Sequence, residues 1–210
     1  MNTDDLIARL AAEPPRPSFQ PQRIMLAVLG AVALACGLFL GVVGIRDDLF
    51  DAMSHPAVQA KTLLPFLICL VALPRAMRSA RPEGNRLPFA ALSWPIGAAI
   101  ALGIWSWVTL PSSARLAEMT MPAIAECVGL ILLLTSAPLG LAISRLRSGA
   151  PTRPRMTGAL AGLGVSAAAA TGYSLFCTQD NPVFFVIWYG AALLVATFAG
   201  AYAGAHWLRW

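Results

Sequence analysis

Charged residues are scarce in this sequence of 210 residues: Asp, Glu, Lys and Arg make up 12% of it, against about 25% in an ordinary soluble domain. Lys61 is the single lysine, beside 14 arginines. Hydrophobic residues make up 58% of the chain, and the net charge of +5 comes mostly from short arginine clusters between apolar stretches. Clusters placed in this way set membrane orientation rather than nucleic-acid binding. The composition excludes an ordinary soluble enzyme and is typical of an integral membrane protein.

The sequence also lacks the motifs of common catalytic and redox sites. It contains no HExxH, no CxxC pair and no GxGxxG motif that opens a helix. Its two histidines, His55 and His206, fall near opposite ends of the apolar spans, so they cannot ligate a haem from facing helices. We therefore expect no enzymatic activity, no cofactor and no firm metal site.

Six apolar stretches are candidates to cross a bilayer as helices, for which about 20 residues are needed. They cover residues 24–45, 62–74, 87–108, 128–144, 156–176 and 183–205. The second has an uncharged core of only 13 residues. It spans if Lys61 and Arg75 extend their side chains to the two interfaces, and a re-entrant segment is the alternative. Because a bilayer admits only helices or closed barrels, the sequence predicts an all-α integral membrane protein with a six-helix transmembrane domain at 24–205.

The distribution of basic residues predicts the orientation of these spans. If the six spans alternate, 12 of the 15 basic residues fall on one side, and only Arg46, Lys61 and Arg115 fall on the other. The basic side is the cytoplasmic side. Residues 1–23 hold three acids and four prolines, unlike a signal peptide. We therefore predict a cytoplasmic tail at 1–23 and a cytoplasmic C-terminal tail at 206–210.

Glycine spacing indicates where helices approach one another closely. Three pairs have the four-residue spacing typical of such contacts: Gly37 and Gly41, Gly158 and Gly162, and Gly200 and Gly204. A sequence with 17 glycines also produces such pairs by chance, so both interpretations stay open.

The N-terminal tail is the first feature that can carry function. Residues 3–12 are predicted to form a short acidic amphipathic helix, in which Asp4 and Asp5 occupy the first turn and Leu6, Ile7 and Leu10 share one side. The prolines that follow end the helix and form an extended spacer. A helix this short is unstable alone, so its apolar face favours a partner. A frayed tail that binds nothing and a membrane-surface anchor are the alternatives.

The cysteines are the second such feature. Cys36 and Cys69 fall inside predicted spans, where a thiol behaves as a small hydrophobe. Cys127 and Cys177 fall near the same non-cytoplasmic boundary, where disulfides are permitted. A structural disulfide, two inert thiols and a redox or metal sensor all remain open. Glu126, next to this boundary, is interpreted as an interfacial carboxylate rather than a proton relay.

Three classes of function fit these features. A regulatory membrane protein would use the tail to bind a partner. A small transporter or channel would depend on Glu126 or Lys61, and a membrane thiol oxidoreductase would need a second reactive pair that the sequence lacks.

Four segments resemble the NrsF-like negative regulators of extracytoplasmic-function sigma factors. They are TDDLIARL at 3–10, RSGAPTRP at 147–154, GALAGL at 158–163, and residues 173–189 around Cys177. The resemblance implies a six-span anti-sigma factor of the bacterial inner membrane that does not itself bind nucleic acid. It holds a sigma factor at the membrane and releases it on a stress signal.

The resemblance also assigns roles to individual residues. It implies that Asp4, Asp5, Leu6 and Ile7 contact the sigma factor. It further implies that Cys127 and Cys177 sense oxidants or heavy metals. Physical reasoning agrees with the first role, because an acidic helix suits the basic surface of a sigma factor, and burial of Leu6, Ile7 and Leu10 would hold the complex.

Overall fold

The computed structural model describes residues 19–81, 90–116 and 118–209, together with residues 3, 7, 11 and 12. Within these residues the chain forms six long helices and two single-turn helices, and no strand. The helices are α1 (Pro21–Val43), α2 (Leu49–Ala52), α3 (Pro56–Ser79), α4 (Ala90–Thr109), α5 (Ser112–Arg115), α6 (Met121–Leu146), α7 (Pro154–Tyr173) and α8 (Pro182–Trp207). The predicted all-helical class is confirmed for the described part of the chain.

Local sequence explains where the long helices begin and end. Proline lies in the first turn of α1, α3, α6, α7 and α8, where its missing N–H costs no hydrogen bond. The Asn181 side chain accepts a hydrogen bond from the N–H of Val183 and caps α8. At the end of α1, Gly44 adopts a φ of 97°, which favours glycine, and its N–H donates to the Leu40 carbonyl.

Five of the long helices are long and apolar enough to cross a membrane: α1, α3, α4, α6 and α8, with 20 to 26 residues each. They include α3, the weakest of the predicted spans, which is one continuous helix of 24 residues instead of a 13-residue core. Flanking residues therefore extend the short apolar core into a full-length helix. Among the described long helices, α7 alone falls outside this group.

Helix α7 is rich in small residues because it is enclosed by other helices. Twelve of its 20 residues are buried. A Cβ atom at Gly158 would meet the carbonyl oxygen of Gly200, and one at Gly162 would meet the carbonyl oxygen of Ala196, so α7 and α8 are in backbone contact. A Cβ at Gly164 would likewise lie 2.9 Å from the backbone nitrogen of Leu73 in α3. Small residues therefore allow α7 to be packed on two sides.

These contacts show which of the three glycine pairs have a role in helix packing. The pairs on α7 and α8 make close helix contacts, which favours the packing interpretation over chance for these two pairs. The pair Gly37 and Gly41 does not, because a Cβ at either position would have nothing within 4 Å. The four-residue spacing in α1 therefore has no packing role within the described part of the chain.

The connections between helices gather at two ends of the bundle. At one end, here called the thiol end, Arg46 hydrogen-bonds to Asp180, and Asn181 hydrogen-bonds to the Ala114 carbonyl, so the connections 44–55, 110–120 and 174–181 lie together. At the other end, here called the tail end, Ser79 hydrogen-bonds to Thr157. Helix α1 begins and α8 ends at the tail end. The helices therefore alternate in direction.

We predict that Gly158→Ala destabilises the protein by about 1–3 kcal/mol, because the added methyl group forces α7 away from the Gly200 backbone. Thermal unfolding in detergent micelles measures the effect. The matched control is Gly41→Ala, which enters open space and should leave the midpoint unchanged or slightly higher, since alanine favours a helix over glycine. Equal effects of the two substitutions would contradict this account of the helix packing.

Candidate functional site

The structure brings Cys127 and Cys177 together at the thiol end. Cys127 lies in the second turn of α6, and Cys177 lies in the 174–181 loop that joins α7 to α8. Both are buried, with 0% and 1% of their surfaces exposed, and the two side chains lie near each other. All four cysteines of the chain are free thiols. The two residues, here called the thiol pair, therefore form one buried site without a disulfide bond.

Aromatic side chains enclose the thiol pair. The rings of Tyr173 and Tyr189 pack with their centroids 5.9 Å apart, and both side chains lie near the two thiols. The Tyr189 hydroxyl is buried and makes no well-aligned hydrogen bond within the described residues. The Cys177 thiol itself donates to the side-chain oxygen of Gln179 at 3.3 Å. A reagent reaches these thiols only after the surrounding side chains move.

An ion-pair cluster with two buried cations holds the Cys177 segment in place. The ammonium of Lys61 donates to the Cys177 carbonyl at 2.7 Å, to Asp180 at 2.6 Å and to the Gln179 carbonyl at 3.3 Å. The Arg46 guanidinium donates to the same Cys177 carbonyl at 3.1 Å, to both oxygens of Asp180 and to both oxygens of Asp48. Two cations thus face two carboxylates. We call Arg46, Lys61, Asp48 and Asp180 the clamp.

The charged groups of the clamp stabilise one another in their ionised forms. Burial alone would raise the pKa of the Asp180 carboxyl, but the hydrogen bonds from Arg46 and Lys61 outweigh it, and the pKa lies below its usual value. A hydrogen bond from Arg46 likewise lowers the pKa of Asp48. In turn, hydrogen bonds to Asp48 and Asp180 raise the pKa of Arg46. Asp180 is therefore a carboxylate at neutral pH.

Further hydrogen bonds attach the 174–181 loop to its neighbours. The hydroxyls of Thr62 and Ser174 lie 2.9 Å apart, and the N–H of Arg46 donates to the Leu175 carbonyl at 3.3 Å. The N–H of Asn181 donates to Glu118 at 3.2 Å. The loop is thus held by α3, by the segment after α1 and by the segment before α6.

Lys61 corrects one expectation from the sequence. Its side chain was expected to extend to the membrane interface, but it is fully buried and paired with Asp180. The reason is that a carboxylate and two carbonyls of the 174–181 loop lie within its reach and replace water around the ammonium. A signal for this pairing was present in the sequence: a single lysine beside an apolar span needs a partner, and Asp180 falls on the same predicted side.

Glu126 lies one residue before Cys127 in α6 and is exposed. This exposure agrees with the interfacial interpretation of Glu126, because a proton relay would need a buried carboxylate. Within the described ranges, no group of three or more His, Cys, Asp or Glu side chains is placed to hold a metal ion. The thiol pair would thus supply two ligands to a metal, with the remaining ligands from elsewhere.

Most of the predicted partner-binding tail lies outside the described residues. This applies to Asp4, Asp5, Leu6 and Leu10, so their predicted contact with a sigma factor stays a prediction. Ile7 is described; its backbone is helical, and 59% of its surface is exposed.

The chain enters the bundle beside a groove of about 650 Å³ at the tail end. The groove is lined by residues 19–23 and Met25 on the α1 side and by Pro74, Met77, Arg78 and Arg81 on the α3 side. We call it the tail groove. It joins the start of α1 to the end of α3.

Comparison with known proteins identifies related chains along the whole length. The family profile described as "NrsF: Negative regulator of sigma F" matches residues 10–210. A protein of Caulobacter vibrioides named "Anti-sigma-F factor NrsF" is 34% identical over the full length of both chains. A protein of Azospira oryzae named "Probable anti-sigma-F factor NrsF" is 32% identical, again over both full lengths. No solved structure matches the chain.

We predict that Asp180→Ala lowers the free energy of unfolding by about 3–5 kcal/mol, because it leaves the buried Lys61 ammonium without its carboxylate. Unfolding in detergent micelles at neutral pH measures the change. Asp48→Ala is the matched control, since Asp48 is an exposed acid whose carboxylate bonds only to Arg46 among the described residues, and it should have a much smaller effect. The clamp would be unimportant for stability if both variants unfolded like the unmodified protein.

Proposed function

Because the chain belongs to the NrsF family of negative regulators of sigma F, we propose that it is an anti-sigma factor that works from a membrane. The observation that carries this proposal is the identity of 34% over the full length with a protein named as an anti-sigma-F factor. We propose further that its partner is an extracytoplasmic-function sigma factor, which the chain holds at the membrane until a stress signal releases it.

In this proposal all six long helices span the bacterial inner membrane. Helix α7 falls short in hydropathy, but its neighbours bury most of it, so little of its surface meets lipid. The thiol end carries Arg46, Lys61 and Arg115, whereas the remaining basic residues that the structure describes lie toward the tail end. The excess of arginine supports a cytoplasmic tail end, with both termini inside the cell.

The acidic tail is the proposed docking element for the sigma factor. Asp4 and Asp5 attract the basic surface that a sigma factor uses for DNA and polymerase. At about 1.5–3 kcal/mol for each fully buried side chain, Leu6, Ile7 and Leu10 together contribute roughly 5–8 kcal/mol before the cost of ordering the helix. The exposure of Ile7 supports this role, because it leaves the side chain available to a partner.

The thiol pair is the proposed sensor. The burial of both thiols beside Tyr173 and Tyr189 supports a reaction in which Cys127 and Cys177 lose two protons and two electrons to hydrogen peroxide, which is reduced to two molecules of water, and form a disulfide bond. Both thiols are buried, so the 174–181 loop has to open before the oxidant reaches them. A heavy-metal ion that binds the two sulfur atoms would use the same opening.

We predict that deletion of residues 1–12 abolishes co-purification with the cognate sigma factor, because it removes both the acids and the apolar stripe. Asp4→Ala combined with Asp5→Ala should slow association about ten-fold or more at low salt, with a smaller effect at high salt. Surface-based binding measurements on the protein in nanodiscs give both quantities. The control exchanges two acids at the thiol end, Asp47 and Asp51, for alanine. Unchanged binding after the deletion would rule out the tail as the docking element.

We predict that peroxide releases the sigma factor from the unmodified protein but not from Cys127→Ala or Cys177→Ala. Mass spectrometry of non-reduced peptides should find the Cys127–Cys177 disulfide in the released protein. Cys36→Ala and Cys69→Ala serve as controls and should still respond, since both residues lie inside membrane-spanning helices. Release that persists without the thiol pair would contradict the proposed sensor while leaving the anti-sigma role intact.

A further inference from the structure

We infer that Lys61 is the positioning residue that couples the Cys177 segment to α3, and that α3 carries a change at Cys177 to the tail groove. The inference rests on the proposed function and adds the route by which the thiol end acts on the tail end. It assigns a role to a residue that belongs neither to the thiol pair nor to the tail.

The contacts of Lys61 tie α3 to the loop. All three hydrogen bonds of its ammonium end on residues 177–180, and one of them ends on the carbonyl of Cys177 itself. The side chain has no exposed surface, so water cannot replace a lost partner. When the loop moves, the ammonium has to follow its partners or remain buried without them. Either outcome alters α3 at this position.

A second contact also joins α3 to the 174–181 loop, whereas a third contact joins this loop to the connection after α1. Thr62, the next residue of α3, lies with its hydroxyl 2.9 Å from that of Ser174. Arg46 also binds the Cys177 carbonyl and Asp180, but it lies in the connection after α1 and outside the long helices. Loss of Arg46 therefore loosens the loop without cutting its link to α3, which makes it a matched comparison for Lys61.

Two prolines inside α3 make the helix able to respond. Pro65 has no N–H to donate to the Lys61 carbonyl, and Pro74 has none for the Leu70 carbonyl. Interior prolines are the usual sites of helix bending, so α3 has one bend site a turn below the clamp and another at the tail groove. Between them, the backbone of Leu73 is in close contact with Gly164 of α7. This contact is a fixed point about which the ends of α3 can shift.

The far end of α3 adjoins the root of the tail. Pro74, Met77 and Arg78 form one wall of the tail groove, and residues 19–23 form the other. Only residues 13–18 separate this groove from the segment 3–12 that is proposed to bind the sigma factor. A shift of α3 therefore changes the surface from which the docking element emerges.

The experiment perturbs the loop without any oxidant and measures the response at both ends of α3. The chain is placed in nanodiscs, and hydrogen–deuterium exchange is followed in segments 174–181 and 75–81. Cys177→Leu perturbs the loop, because the larger side chain does not fit at a position with 1% exposure. We expect exchange to rise in both segments, by about ten-fold at 75–81, the effect of roughly one lost hydrogen bond.

The background variants then locate the coupling. With Lys61→Met present, Cys177→Leu should still raise exchange at 174–181 but no longer at 75–81. With Arg46→Gln present, it should raise exchange in both segments, and Lys61→Arg should restore most of the coupling that Lys61→Met removes. The inference is overturned if exchange at 75–81 stays constant in Cys177→Leu, or if it rises equally with and without Lys61.

Two precautions keep the result decisive. If Cys177→Leu does not fold, Cys177→Val tests the same comparison with a smaller added volume. If Lys61→Met does not fold, Thr62→Val removes the second contact between α3 and the loop and should reduce the rise in exchange at 75–81. Binding of the sigma factor to the unmodified protein is measured separately. Absence of that binding refutes the proposed function, whereas uncoupled exchange with intact binding refutes only the route through α3.

Discussion

A lysine ammonium that has no access to water needs a compensating charge, and at the thiol end this need is met by the 174–181 loop. Lys61 draws Asp180 and the carbonyl of Cys177 toward α3, and Arg46 completes the neutralisation from the connection after α1. These ion pairs hold Cys177 at the thiol end together with the hydrogen bonds that Ser174, Leu175 and Asn181 make to neighbouring segments. Charge compensation thus contributes to the position of one of the two thiols for which a sensing role is proposed.

The rest of the bundle depends on close packing around α7. The glycines of α7 bring its backbone into contact with those of α8 and α3. The same small residues lower the mean hydropathy of α7. The helix that is least suited to lipid by composition is therefore the one best suited to the interior. The peripheral α4 shows the opposite pattern, with Trp94, Ile100, Ile104 and Trp105 exposed on its surface. Helices α4 and α7 show that the surroundings of a helix, rather than its length, determine its amino-acid composition.

The sequence predicts much of this fold for clear physical reasons. Apolar runs and arginine clusters locate the six long helices and separate the two ends, because both signals are local in the chain. Asp180 or Asn181 followed by Pro182 is likewise a local signal for the start of a helix, and Asn181 is the residue that caps α8. The clamp was missed because Arg46, Lys61 and Asp180 are far apart in sequence, and their pairing depends on how the connection after α1, helix α3 and the 174–181 loop come together. The same limit applies to Gly41, whose spacing resembles that of Gly204 although its surroundings are empty.

The composition of α7 also bears on how the protein is made. A segment with so many glycines and alanines gains little free energy when it leaves water for lipid on its own. One of its two main packing partners is α8, which follows it after only eight residues and is strongly apolar. Under the proposed six-span topology, we therefore expect the two helices to leave the ribosome-bound insertion channel as a hairpin, so that α7 enters the bilayer together with a segment synthesised after it.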